Sequence, residues 1–237
     1  MKRWIALLVM LLSCVLVVMY ETNASERLYF LPEPLGGVKV VLDAGHGGQD
    51  GGASKGDVIE KEITLAIVQK VERELKRLGA EVVLTRSGDE DVVGERKPDA
   101  VFHSLRERKK EDIFLRQEIV NEEKPDLFIT IHANAIEDSK WRGAQVFYHK
   151  KGHAESSNLA KSLQQALKEE LQNTDREALG IEGIYLLKKS EVPTALVETG
   201  FLSNDEERQL LVDEKYQTKI AKAIADGIEQ FIQTDVQ

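Results

Sequence analysis

The sequence predicts an α/β fold, a mixed and mostly parallel central sheet of about six strands with helices on both faces. Three observations predict it. Short, continuous apolar runs at Val38–Leu42, Val82–Thr85 and Leu127–Ile131 read as central strands. Longer stretches with apolar residues three and four apart, such as Glu60–Leu78, read as helices packed on one face. The order strand, helix, strand at this spacing forms a βαβ unit, so the first two strands are parallel.

The N-terminus is a separate object. Lys2 and Arg3 precede an almost entirely apolar run from Trp4 to Tyr20, and Thr22-Asn-Ala24 offers a weak small-residue cleavage site. This is an export signal over residues 1–24, removed or kept as a membrane anchor, since a span needs about 20 residues. It places the rest of the protein outside the cytoplasm, secreted or anchored. Cys14, the single cysteine, lies inside the signal. The apolar run continues past it, which argues against lipidation, and its removal leaves no disulfide. Residues 25–37, with Pro32, Pro34 and a glycine pair, read as a linker to one catalytic domain over 38–237. The formal net charge of -9, without a basic stripe, argues against nucleic acid. Membrane contact is expected only through the N-terminal segment.

Val38–Leu42 is the first strand and breaks into a glycine loop running to Asp57. The helix Glu60–Leu78 carries Ile63, Ile67, Val71 and Leu75 on one face and stops at Gly79. Val82–Thr85 is the second strand. Ser87–Phe102 is polar and aperiodic, a surface loop; His103 to about Glu122 is a charged helix closed by Pro125. Leu127–Ile131 is the third strand and Gly143–Tyr148 the fourth. Ser156–Leu171 is a helix with leucines in i, i+4 register, followed by a polar loop over Asn173–Glu182. Gly183–Leu187 and Thr194–Val197 are expected as two further short strands. Asn204 and Glu207 form a capping box for a short helix, and Tyr216–Ile232 is a last amphipathic helix.

His46, His132 and Glu198 fall at or just beyond the carboxyl ends of apolar strands, where open α/β sheets bind ligands. Glu60 begins the helix after the first strand. A hydrolytic zinc site takes three N and O ligands and keeps a fourth position for water. Two histidines and one glutamate fill it, and a further carboxylate nearby moves the proton. Each residue also has a plainer reading. His46 can be a polar loop residue, His132 a hydrogen-bonded core histidine, and Glu60 a carboxylate favoured by the helix dipole. Glu198 ends a buried strand and needs a partner.

The motifs Asp43-Ala-Gly-His-Gly-Gly48, Glu60-Lys61, Leu127-Phe-Ile-Thr-Ile-His-Ala-Asn-Ala135 and Val197-Glu-Thr-Gly-Phe-Leu-Ser-Asn204 resemble the zinc-dependent N-acetylmuramoyl-L-alanine amidases of the amidase-3 type. The resemblance runs from about Val38 to Ile232. Trp141-Arg-Gly-Ala-Gln-Val-Phe-Tyr148 and Gly183-Ile-Tyr-Leu186, with the short length, are most similar to its sporulation and germination members. It implies one Zn2+ per chain, with His46, Glu60 and His132 as ligands and Glu198 as the catalytic carboxylate. Arg116 also matches a family position and is read as structural. Asp43 and Asn134 are read as residues that shape the loop or support the ligands, and His103, His149 and His153 as surface residues.

The implied reaction is hydrolysis of the amide between N-acetylmuramic acid and L-alanine in peptidoglycan. The implied substrate is spore cortex, with release of stem peptides as the first step toward muramic-δ-lactam. The glycine loop is expected to let a wide polymer approach. No wall-binding repeat is present, so targeting falls to the N-terminal segment or to an accessory spore protein. The charged segment Ser87–Glu122 predicts an accessible site. Two other readings stand beside this one: a zinc peptidase acting on stem peptides, and an amidase-like protein that binds the wall without cleaving it. The wide spacing of the two histidines argues against the former's HExxH arrangement.

Overall fold

The chain enters its core early: Leu35 is fully buried, and its amide donates to Leu78 O at 2.9 Å. The computed structural model describes Ser13 and residues 33–235, so the rest of the export segment and most of the linker lie outside the described residues.

Strand β1 (Lys39–Ala44) feeds the glycine loop, in which β2 (Ser54–Lys55) and β3 (Val58–Ile59) form a small antiparallel hairpin. Helix α1 (Glu60–Arg77) follows at once and buries Ile63, Ile67, Val68, Val71 and Leu75. Gly79, at φ 96°, ends it, because a left-handed residue there lets Ala80 N reach back to Leu75 O. Strand β4 (Glu81–Leu84) then pairs parallel with β1. The segment read as a loop holds the short helix α2 (Val92–Arg96), capped by Asp91. Helix α3 (Leu105–Glu123) leads to β5 (Leu127–Asn134), and β6 (Gln145–His149) to α4 (Ser156–Leu171).

The next stretch departs from expectation. Gly183–Leu187 does not form a strand. Strand β7 (Leu179–Ile181) forms inside the segment read as a polar loop, and Tyr185–Lys189 makes helix α5. Four apolar residues in a row cannot separate a period of 2 from one of 3.6. The winding buries Leu186 and Leu187 and leaves Ile184 and Tyr185 outside. Strand β7 exists because β6 offers it a free edge, with Phe147 opposite Leu179. Strand β8 (Thr194–Phe201), α6 (Asp205–Leu211) and α7 (Glu214–Asp235) complete the chain. The capping box is half formed: Asn204 Oδ1 accepts from Glu206 and Glu207 N–H, but Glu207 turns inward to accept from Gly143 and Phe201 N–H, both at 2.8 Å.

Among the described residues the main sheet has six strands in the order β4-β1-β5-β8-β6-β7. Every neighbouring pair is parallel except β6 with β8. Apolar side chains of α1, α4 and α7 join Val40, Leu42, Ile129 and Val197 in the larger core cluster. Those of α2, α3 and α5 join Val41 and Phe128 on the other face. Parallel strands β1, β5 and β8 therefore end at one edge, bringing the glycine loop, His132 and Glu198 together.

Candidate active site

Glu60 opens α1 with its buried carboxylate turned back over the hairpin. Oε2 accepts from Ala53 N–H at 2.8 Å, and Oε1 from Ala133 N–H at 3.1 Å. The two histidines flank it: His46 Nε2 lies 3.1 Å from Oε2, and His132 Nδ1 lies 2.9 Å from Oε1. One donor atom from each of the three residues falls within 4.8 Å of the others. Two imidazoles and a carboxylate make an N and O donor set of the kind that holds a catalytic metal.

Backbone shape makes this convergence possible. His46 sits at φ 64°, a left-handed conformation that non-glycine residues rarely adopt. A Cβ on Gly45 would stand 2.2 Å from the His132 ring, and one on Gly52 would stand 2.5 Å from Glu60 Oε2. These two glycines are needed to seat the ligand-type side chains.

A buried ion-pair cluster fixes the loop from below. Asp43 accepts from the Thr85 and Thr130 hydroxyls, each at 2.6 Å, and pairs with Arg116. Burial opposes its charge, but Arg116 and the two hydroxyls hold its pKa below the usual carboxylate range. Arg116 also donates to Ala44 O at 2.7 Å and to His46 O at 2.6 Å, spanning the end of β1 as the structural reading expects.

Three residues of this site went unread in the sequence. Asp50 Oδ2 lies 3.0 Å from His46 Nδ1 and Oδ1 lies 2.7 Å from Lys109 Nζ. A carboxylate on the far nitrogen fixes a ligand histidine's tautomer and plane. Its spacing of four from His46 was visible, but only the turn of the loop makes it meaningful. Arg86 is buried and gathers the carbonyls of Ala44, Gly45, Lys61 and Gly88. Burial and the neighbouring Arg116 pull its pKa down to about 10.

Glu198 lies on β8 as the direct partner of His132 on β5. Its Oε2 is buried and has no hydrogen-bond partner among the described residues. Burial, with some help from Glu60, raises its pKa to about 7 against the opposing pull of His132 and His46. At His46, burial works against the charged ring, but Asp50 and Glu60 outweigh it and raise the pKa to about 9. His46, His132, Glu198, Asp50 and Lys109 line one cleft of about 400 Å³, with Ile113 of α3 and Ile184 and Tyr185 forming its far wall. The segment expected to leave the site open thus supplies a wall and no plug. Asn134 is half-buried at the end of β5 and gives its carbonyl to Leu202 N–H. His103 is exposed and His153 half-buried, but His149 is not a surface residue. It is buried at the end of β6, with Nδ1 accepting from Lys151 N–H.

A sequence profile of N-acetylmuramoyl-L-alanine amidases matches residues 40–230. The chain belongs to this amidase family. The germination-specific N-acetylmuramoyl-L-alanine amidase of Bacillus subtilis (strain 168) is 39% identical over 97% of this chain and 94% of its own length. LytC of the same organism is 35% identical over 83% of this chain but only 36% of its own length. Among solved structures, CwlD from Clostridioides difficile, determined in complex with the GerS lipoprotein, superposes with a TM-score of 0.78. It is 39% identical, and the match covers 84% of this chain and all of that one. The chain is thus an N-acetylmuramoyl-L-alanine amidase, as the motifs imply.

Proposed function

We propose that this amidase is zinc-dependent, with His46, Glu60 and His132 as the metal ligands and Glu198 as the proton carrier. The observation that carries the reading is their convergence: three donors gather beside a buried carboxylate with a free oxygen. Zinc held there would supply Lewis acidity toward the scissile carbonyl and toward water. The chain's own groups do the rest. Asp50 holds the His46 ring, and Arg116 holds the backbone that presents it. Glu198, poised near neutrality, takes a proton from water as the water oxygen bonds to the lactyl carbonyl carbon. It returns the proton to the alanine nitrogen as the C–N bond breaks. The products are a free lactyl carboxyl group on muramic acid and a stem peptide with a free amine.

The substrate we infer is spore cortex peptidoglycan, with stem-peptide removal as the first step toward muramic-δ-lactam. Likeness to the germination-specific relative supports this. Residues 1–24 would export the enzyme or anchor it, and an accessory spore protein is inferred from likeness to the CwlD that was solved with a lipoprotein.

The test is hydrolysis of purified peptidoglycan by the metal-loaded protein, the chelated protein and Glu198→Gln. Intact stem peptides with free L-alanine amino groups are expected from the loaded enzyme, with loss on chelation and recovery with zinc. Glu198→Gln should bind metal normally and turn over about 10²–10⁴-fold more slowly. Wild-type rates in that variant, or no metal bound by the wild type, would overturn the reading.

A further inference from the structure

The row of side chains carrying His132 and Glu198 does not stop at β8. Strand β6 runs antiparallel to β8, with Gln145 as the direct partner of Glu198. Directly opposed residues project from the same face of a sheet. His132, Glu198 and Gln145 therefore stand side by side across β5, β8 and β6. The Gln145 amide is fixed at both ends: Nε2 donates to Glu177 O at 3.1 Å, and Oε1 accepts from Arg176 Nη1 at 2.8 Å.

Arg176 is the unusual residue of this row. Its guanidinium carbon lies 5.3 Å from the centroid of Trp141 and 5.0 Å from that of Phe201. Nε donates to Arg142 O at 3.0 Å. Both acceptors of the guanidinium are thus neutral, and no carboxylate among the described residues lies within salt-bridge distance of it. The neighbouring cations differ: Lys168 pairs with Glu177 at 2.6 Å, and Arg142 faces Glu206 at 3.7 Å. A guanidinium offers five N–H donors in a planar fork, and only Nε and Nη1 are engaged here. Two aromatic rings fix its plane without neutralising its charge. Glu207 is near enough to feel its charge but forms no ion pair with it, so in a chain of net charge -9 a half-buried arginine oriented in this way keeps donors for an anion from outside.

We propose that Arg176, positioned by Gln145, Trp141 and Phe201, binds a carboxylate of the stem peptide on the leaving side of the scissile amide. This rests on the amidase reading with Glu198 at the reacting bond. The muramic carboxyl is itself tied up in that amide, so the negative charge near the bond belongs to the peptide. An extended chain advances about 3.3–3.6 Å per residue, which puts a carboxylate of the residue after alanine roughly 7 Å from the broken bond. Arg176 lies one strand and one side chain beyond Glu198, because Gln145 is the direct partner of Glu198 and its side chain accepts from Arg176. Arg176 thereby sets specificity for an acidic second residue over its amidated form.

The probes are two muramyl dipeptides and their released dipeptides, each with the γ-carboxyl of its D-glutamate capped as a methylamide; one pair keeps the α-carboxylate free and the other carries it as the carboxamide. Binding of both dipeptides to the full metal-loaded chain is measured by calorimetry for the wild type, Arg176→Gln and Arg176→Lys. Hydrolysis of both muramyl dipeptides follows. The wild type should favour the acid by at least tenfold in Kd and in kcat/KM, mostly through KM. In Arg176→Gln the ratio should fall toward one, while Arg176→Lys keeps part of it. Equal binding of both dipeptides by the wild type, or no binding of either, overturns the proposal. So does an Arg176→Gln variant that weakens both alike. Binding decides the matter whether or not either probe is cleaved. Failed cleavage by the loaded wild type would count against the role of Glu198 alone.

Discussion

Glu198 is held at a cost that can be measured. Its folded pKa, about 7, stands above the ordinary glutamate value of 4.5, so the fold favours the neutral acid. A raised carboxylate contributes its full share of stability below about 4.5 and loses it as pH climbs toward about 7. Glu198→Gln, neutral throughout, should therefore stabilise the chelated protein at pH 8 by about 3 kcal/mol and leave it unchanged near pH 4. Urea midpoints at the two pH values check this, and equal midpoints at pH 8 would refute it. Asp50→Asn makes a complementary prediction. It leaves the fold intact but loosens the His46 ring, so metal affinity should drop about 10–100-fold in a competitive chelator titration. At this scale the sequence was informative where a polar residue ended an apolar strand, as at His132 and Glu198. It was silent on Asp50, Arg86 and Arg176. Each is an ordinary charged loop residue until the backbone turns it toward a carbonyl, a ring or a histidine.

Elements behave differently, because their ends carry the chemistry and their middles carry the stability. The end of β1 is pinned by α3 through Arg116, which reaches Asp43, Asp112 and the carbonyls of Ala44 and His46. Removing one member strands the others in the core. Arg116→Met should cost about 3–5 kcal/mol in denaturant titrations and abolish activity by releasing the loop. The acid side of the same cluster follows from Asp43. Its pKa is depressed, so its contribution is present above about 3.8 and lost as pH falls through the lower folded value. Helices and strands with a long period were legible, and α1, α4 and the parallel strands stand close to where their patterns put them. The misplaced pair, β7 and α5, shows the limit. Leu179–Ile181 is a strand only because β6 has a free edge, and Tyr185–Lys189 a helix only because its two leucines find a core.

For the whole molecule, the larger core depends on how closely two helices approach. A Cβ on Gly227 of α7 would lie 2.8 Å from Leu163 Cα on α4. Gly227→Ala should push these helices apart and cost about 1–3 kcal/mol, seen as a lower melting temperature with the metal site still able to load. The α/β class and the edge at which the site would gather could be read from the alternation of patterns, which depends on local sequence alone. The order of the strands could not, since pairing across long separations leaves no local mark. That order matters beyond the present chain. Because β6 reverses direction, the exposed connection from Ala135 to Arg142 turns back on the catalytic edge instead of crossing the sheet. Its length is therefore free of the core, and each doubling of such a loop costs only about 0.6 kcal/mol. Lineages of this fold can lengthen, shorten or rewrite that one connection and so acquire a new appetite for cell-wall chemistry without refolding anything beneath it.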